Sequence, residues 1–344
     1  MTKRLKKIFY FIKKGRFVYL FSKLGNFAKL WISSNVVLLP PTSLMIEPTN
    51  ICNLRCPLCP TGLGVLNRVK RSMTFDEYKM IIDQVKGYVR EIVLWHYGEP
   101  FVNKNILAMI EYATQRKISI ITSTNGHFFQ SPEYCEKVVK SGIQRIIVAI
   151  DGADQEAYEK FRVGGNFDKV IQGVKWLGEA KKKLKSKTPY IEMQFIVMKH
   201  NQHQKQQMRD LAKNLEVDYF IEKEVGIHAE DPTFFNMRDQ FLPKEQEGRF
   251  YKDENGLSQI NGTIPNYCEW PYRYSVINSD GTVVPCSLDI HSDHIMGNVL
   301  KEDFLTIWRG KKYQSFRKQI RSDRKGIDMC RACTNGVCFN KNRN

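Results

Sequence analysis

The first 46 residues contain no aspartate or glutamate, although the whole chain of 344 residues carries 36 acidic side chains against 53 lysines and arginines. That stretch holds nine basic residues and stands at +9, and residues 301–344, with twelve basic residues against four acids, stand at +8. The net charge is +17, so the part between the two ends sums to about zero. A neutral centre carries no strong electrostatic bias toward a polyanionic substrate. The basic ends contain no recognisable RNA-binding module, which argues against nucleic acid as a partner. The N-terminal segment lacks an apolar run long enough to cross a bilayer, because lysines interrupt it, and its apolar run is too short for a secretory signal. Neither a repeat of fixed period nor a low-complexity tract is found. Cysteines number nine. An odd count gathered in two close-spaced sets argues for metal ligation in a reducing cytoplasm rather than for disulfides. The length, with 42% hydrophobic residues, suffices for one large core plus a small appended domain.

At the N-terminus, Lys3, Arg4, Lys6, Lys7, Lys13 and Lys14 precede Phe17, Leu20, Phe21, Leu24, Phe27, Ala28 and Trp31 at helical spacing. This is a basic amphipathic pattern with aromatics on the apolar side. Such a helix suits the anionic inner face of a membrane, and it equally suits packing against the rest of the protein.

Further on, the chain alternates. Apolar runs predict strands near 43–47, 91–96, 118–122, 145–150, 190–198 and 217–223, and helical periodicity fills 74–86, 103–116, 131–141, 166–184 and 203–215. Six βα units predict a parallel sheet with right-handed crossovers. Cys52, Cys56 and Cys59 follow the first strand within Glu47-Pro-Thr-Asn-Ile-Cys52-Asn-Leu-Arg-Cys56-Pro-Leu-Cys59. Three thiolates leave one metal position open for chemistry, whereas structural and electron-transfer sites close with four protein ligands. A zinc knuckle or a redox-active thiol pair is the plainer alternative. The second strand runs into His96-Tyr97-Gly98-Glu99-Pro100, the third ends in Thr122-Ser-Thr-Asn125-Gly126, and the fourth in Asp151-Gly152. Beyond them comes Tyr158-Glu-Lys-Phe-Arg162-Val-Gly-Gly. In the last quarter, Cys268 is followed by Gly281 and Cys286 around a predicted hairpin at Asp280-Gly281, and then by Cys330-Arg-Ala-Cys333 and Cys338. Two separated cysteine pairs around a hairpin also describe a zinc ribbon. Cys135, alone in a helix, reads as a small buried apolar residue.

Taken together, these motifs resemble the radical S-adenosylmethionine (radical SAM) enzymes that carry a C-terminal auxiliary-cluster domain of the SPASM or shorter twitch type. The resemblance implies an α/β fold, a partial (β/α)6 TIM-like barrel, over residues 41–262, a small cysteine-rich domain over 263–344, and residues 1–40 as the basic amphipathic segment. It implies a [4Fe-4S] cluster on Cys52, Cys56 and Cys59 with SAM at the fourth iron. Gly98 and Glu99 would hold the SAM amino group, Tyr97 standing where the family has a first glycine. A carboxylate suits that task, since an amino group on iron still has hydrogens to donate. Ser123, Asn125 and Asp151 would bind hydroxyl groups, and Arg162 would pair with the SAM carboxylate through its planar fork. Leu58 sits where many relatives place an aromatic residue, against the adenine. Full SPASM domains use seven cysteines, and five here imply one auxiliary [4Fe-4S] cluster on Cys268, Cys286, Cys330 and Cys333, with Cys338 a spare, a gate or a substitute ligand.

The expected function is that of an oxidoreductase: one-electron reductive cleavage of SAM to a 5′-deoxyadenosyl radical, hydrogen abstraction from a substrate carbon, and oxidation through the auxiliary cluster. A small-molecule, sugar or lipid-linked substrate and a flavodoxin- or ferredoxin-type reducing system follow from this reading. The competing readings are a peptide or protein maturase and a non-enzymatic zinc protein binding nucleic acid. Glu192, Gln194, His200, His203, Glu222, Glu224 and His228 are equivalent candidates for the general base at this stage.

Overall fold

The computed structural model describes residues 37, 39–226, 237, 240–243, 250–252, 254, 258–331 and 333–339. Almost all of the amphipathic segment 1–40, His228 and the side chain of Cys338 therefore lie outside the described residues.

Six strands form the parallel core of the sheet: β1 (Ser43–Ile46), β2 (Glu91–Val93), β3 (Ser119–Thr124), β4 (Arg145–Ala149), β5 (Tyr190–Val197) and β6 (Tyr219–Glu224). Each is hydrogen-bonded to the next, in sequence order. Between them run α1 (Pro60–Leu63), α2 (Phe75–Val85), α3 (Ile106–Gln115), α4 (Pro132–Lys140), α5 (Gln155–Phe161), α6 (Phe167–Lys183) and α7 (Lys205–Asn214). Every strand and helix predicted between residues 43 and 223 is present, with ends shifted by at most a few residues. Local chemistry sets those ends. Thr74 and Glu77 form a reciprocal capping box at the start of α2, and Ser131, Asp154 and Asn166 cap α4, α5 and α6 through side-chain oxygens. The second strand is shorter than expected: the Leu94 carbonyl accepts from Thr122 Oγ1 at 2.9 Å and the chain then turns away toward Gly98.

Sheet residues Leu44, Ile92, Ile120, Ile146 and Val148 and helix residues Ile81, Ile110, Val138 and Val174 belong to one buried core. Cys135 is fully buried in α4.

The C-terminal segment builds β9 (Gly262–Thr263), α8 (Trp270–Arg273), β10 (Val276–Ile277), β11 (Thr282–Val284), β12 (Gly297–Asn298), α9 (Phe304–Arg309), α10 (Lys311–Asp323), α11 (Asp328–Arg331) and β13 (Cys338–Phe339), after a small ribbon of β7 (Phe250–Lys252) and β8 (Ser258–Ile260). The predicted hairpin at Asp280-Gly281 is β10–β11, with Gly281 at φ +82°. This hairpin is no satellite. β10 pairs in parallel with β1, Met45 opposite Val276 and Ile46 opposite Ile277, so the sheet runs β12-β11-β10-β1-β2-β3-β4-β5-β6. Trp308, Tyr313, Phe316 and Ile320 join the barrel's core, and Gln84 of α2 bonds to Val299 and Phe304. The segment that carries the second cysteine set thereby sits beside the strand that carries the first.

Candidate active site

A parallel sheet aims the loops after all its strands to one end, and this chain places its polar residues there. A cavity of about 350 Å³ opens at the C-terminal ends of the strands. It is lined by Cys52, Cys56, Leu58 and Cys59 from the loop after β1, by Gly98 and Glu99 after β2, by Ser123 and Asn125 from the end of β3, and by Arg162 after α5. Nine of the ten residues expected around the first cluster and SAM thus surround one cavity. Asp151 stands behind it: one carboxylate oxygen accepts from Arg162 Nε at 2.7 Å and the other from the Ile196 amide at 2.7 Å. That carboxylate is spent on protein donors, so its position is one of support for Arg162 rather than of contact with the cavity.

Glu99 is 2% exposed and its carboxylate is held from three directions. Thr124 Oγ1 donates at 2.7 Å, the Asn125 amide at 2.8 Å and the Phe101 amide at 3.1 Å. Burial nevertheless pushes its pKa up to about 7, against the lowering effect of those donors. The preceding turn depends on Gly98, whose φ is +99°; a Cβ there would lie 2.5 Å from the Thr49 carbonyl oxygen. Asn125 fastens the cysteine loop by donating to Asn53 Oδ1 at 2.8 Å and accepts from the backbone of His127. Arg162 also points an Nη toward Cys56 Sγ at 3.9 Å. Burial raises Cys52 to about 12 and raises Cys56, the latter opposed by Arg162, so the metal-free thiols hold their protons. Leu58, Phe161 and Val225 belong to a second apolar cluster that walls the cavity, together with the partly buried Ile196.

Of the base candidates that are described, only Gln194 lines the cavity. Glu192 is buried in an ion pair with Arg145, Glu222 pairs with Arg209, and His200 faces the Ala157 carbonyl at 3.2 Å. His203 and Glu224 are exposed.

Sequence reasoning missed the group that ties the two halves together. Glu47 is fully buried at the end of β1, doubly bonded by Arg68 at 2.8 Å and faced by His96 Nδ1 at 3.4 Å. It also accepts from the Ser279 amide of the C-terminal hairpin at 3.2 Å. Burial would raise its pKa, but Arg68 and His96 prevail and hold it at about 2. His96 Nε2 and the Tyr97 hydroxyl both reach the Ser287 carbonyl, at 2.9 and 3.1 Å, one residue past Cys286. Tyr97, the departure from the family's first glycine, therefore has a definite task. No periodicity could have revealed this knot, because its members are joined only by the fold.

The second set, Cys268, Cys286, Cys330 and Cys333, gathers where α8, the β10–β11 hairpin and α11 meet, close enough that each thiolate would raise the pKa of its neighbours. Burial pushes Cys330 up to about 12 and Cys268 and Cys286 upward too. N–H groups point at three of these sulfurs: the Leu288 amide at Cys286 (3.5 Å), Asn335 at Cys268 (4.0 Å) and Arg324 at Cys333 (3.3 Å). All-sulfur donor sets suit soft metal centres and iron-sulfur clusters.

Comparison with known proteins agrees with this geometry. A family model of the radical SAM superfamily matches residues 46–194, and one of an iron-sulfur cluster-binding domain, SPASM, matches residues 268–334. An AdoMet-dependent heme synthase of Methanosarcina barkeri is 26% identical over 306 residues, covering 81% of this chain and 84% of that protein. An S-adenosyl-L-methionine-dependent 2-deoxy-scyllo-inosamine dehydrogenase of Niallia circulans is 23% identical over 84% of this chain and 91% of its own length. In fold, the chain is similar to Streptococcus suis SuiB bound to precursor peptide SuiA, with a TM-score of 0.62 at 17% identity over 90% of this chain and 74% of that one. The radical SAM domain implies a [4Fe-4S] cluster and SAM, and the SPASM domain an auxiliary iron-sulfur cluster, which removes the zinc readings of both cysteine sets. The chain belongs to the radical SAM superfamily and carries a SPASM-type auxiliary-cluster domain.

Proposed function

We propose that this protein is a radical SAM oxidoreductase that removes a hydrogen atom and then an electron from a small-molecule, sugar or lipid-linked substrate, in the cytoplasm and with a flavodoxin- or ferredoxin-type reductant. The observation that carries it is the convergence of Cys52, Cys56 and Cys59 with Glu99, Ser123, Asn125 and Arg162 on one cavity, beside a separate set of four cysteines. When bound, the cluster and SAM supply a 5′-deoxyadenosyl radical; everything else is the work of the chain.

In this reading Cys52, Cys56 and Cys59 would hold the cluster, and three protein thiolates would leave it room to bind SAM. Glu99, restrained by Thr124 and two amides, keeps a carboxylate oriented for the SAM amino group, and Gly98 lets the backbone approach. Ser123 and Asn125 offer partners to the ribose, and Leu58 an apolar surface to the adenine. Arg162, aimed by Asp151, presents its fork to the carboxylate. The apolar wall of Leu58, Phe161, Ile196 and Val225 excludes water, which protects a reactive intermediate from side reactions. Cys268, Cys286, Cys330 and Cys333 would hold the auxiliary cluster with four thiolates, a ligand set that favours electron transfer over substrate binding. The similarity to a SAM-dependent dehydrogenase supports the oxidative outcome.

Anaerobic reconstitution with iron and sulfide tests this reading. About eight irons per chain are expected in the wild type and about four in a Cys52, Cys56, Cys59 triple alanine variant, as cysteine ligation of two [4Fe-4S] clusters requires. With dithionite and SAM, 5′-deoxyadenosine should form only in the wild type. Four irons in the wild type, with cleavage retained, would remove the auxiliary electron acceptor; no cleavage in a fully loaded wild type would remove the SAM chemistry.

A further inference from the structure

The C-terminal segment buries two arginines completely, and they are held in different ways. Arg317 meets carbonyls and rings rather than sulfur, although one of its Nη atoms, like Arg324 Nε, finds no hydrogen-bond partner among the described residues. It donates to the Pro271 and Trp308 carbonyls at 2.8 and 2.9 Å and lies against the rings of Trp308 and Tyr313, with centroids at 4.5 and 4.6 Å. Arg324 differs. One Nη donates to the Tyr267 carbonyl at 2.8 Å, the other points at Cys333 Sγ at 3.3 Å, and its buried Nε has no partner among the described residues. Among the described residues no carboxylate pairs with it. Its charge bears on Cys268 and Cys330 as well as on Cys333.

A buried cation without an anion is costly, and the groups that Arg324 meets among the described residues are a carbonyl and a cysteine sulfur rather than a carboxylate. A cluster carried by four thiolates can supply the anion, since it brings net negative charge to the same place. The unpaired Nε and the N–H directed at sulfur are what such a group would satisfy.

We infer that Arg324 is a positioning and potential-setting residue for the auxiliary cluster: its buried guanidinium is the cluster's counter-cation and stabilises the reduced form. Reduction adds one negative charge to the cluster, and a cation in a medium of low dielectric constant favours that state, so Arg324 raises the midpoint potential. This rests on the auxiliary cluster of the proposed function, but the potential is a property of the resting protein and needs neither substrate nor turnover.

The test is an anaerobic redox titration of the fully reconstituted chain, followed by electron paramagnetic resonance, for wild type, Arg324→Lys and Arg324→Gln. The signal of the auxiliary cluster is identified in the Cys52, Cys56, Cys59 triple alanine background. Arg324→Gln should make one-electron reduction about tenfold or more less favourable, equivalent to a midpoint about 59 mV more negative for a one-electron couple. Arg324→Lys should retain most of the wild-type potential. Loss of the auxiliary iron from the Gln variant alone, with Lys loaded at near wild-type potential, also supports a need for charge. Equal potentials in all three proteins would overturn the inference, as would loss of the cluster from both variants, which marks a merely structural arginine. A second readout is thermal stability: Arg324→Met should lower the melting temperature of the loaded chain and leave unchanged or raise that of the metal-free chain. An equal fall in both would overturn the inference as well. A chain that loads both clusters but does not oxidise a substrate would leave all these values unchanged and fail only in turnover, whereas a wild type with about four irons would overturn both readings at the reconstitution step.

Discussion

Two glutamates at neighbouring strand ends are buried to the same degree and titrate in opposite directions. Glu47 has a bidentate arginine and a histidine, and is held at about 2; Glu99 has neutral donors only, and stands at about 7. The difference follows from burial disfavouring a charge that only another charge fully offsets. Glu47 therefore stabilises the fold at every pH above its unfolded value of 4.5, and this contribution, on the order of 3 kcal/mol, is lost as pH falls from 4.5 toward 2. Glu99 acts with the opposite sign. Between pH 4.5 and 7 the folded metal-free chain keeps a proton that the unfolded chain has lost, so stability declines as pH rises through that window. Glu99→Gln should remove this decline: in urea unfolding of the metal-free chain under reducing conditions, the variant should gain on the wild type by up to about 3 kcal/mol between pH 5 and pH 8. Parallel profiles would show that Glu99 stays ionised throughout.

At the scale of elements, the turn between β2 and α3 is the part with least tolerance. It places Glu99 by bonding the Glu99 amide to the Ile51 carbonyl at 2.9 Å, which joins it to the cysteine loop after β1. Gly98→Ala would force a Cβ against the backbone of Thr49 and Asn50 at a φ that L side chains rarely adopt. We expect it to cost about 1–3 kcal/mol of stability. SAM affinity, measured by calorimetry on the reconstituted chain, should fall at least about tenfold, each 1.4 kcal/mol of displaced binding being one decade. An unchanged dissociation constant would mean that the turn does not set the position of Glu99. This turn was legible beforehand, since Gly-Glu-Pro after an apolar strand is a turn signal. No such signal marked Arg68 or His96, whose partners Glu47, Ile290 and Ser287 lie on other elements.

For the whole molecule, the pairing of β10 with β1 makes the C-terminal segment part of the barrel sheet. A chain ending at residue 262 would lose β10 to β12 and the helices that contribute Trp308, Tyr313 and Phe316 to the core, and would leave β1 an unprotected edge. Such edges template association. The truncated chain should aggregate on expression rather than yield a monomeric barrel. A soluble, monodisperse fragment by size-exclusion chromatography would show that the barrel folds by itself. The same pairing gives the two cysteine sets one rigid frame, through the Glu47 and Ser287 contacts, rather than a flexible link.

The order of strands and helices, the caps of α2 and α4, and the two cysteine sets were legible in the sequence, because alternation, capping residues and ligand spacing are local properties that a few neighbouring residues express. Most of the cavity lining was legible for the same reason: each residue follows its own strand, and a parallel sheet brings all such ends to one side. The tertiary structure alone decided that Asp151 supports Arg162 from behind the cavity, that Glu192 and Glu222 are consumed in ion pairs, that Glu47 joins the barrel to the hairpin, and that Arg324 meets sulfur instead of a carboxylate. Those outcomes depend on which distant groups share a buried volume, and pairing across 232 residues, as between Glu47 and Ser279, leaves no period in the chain to be read.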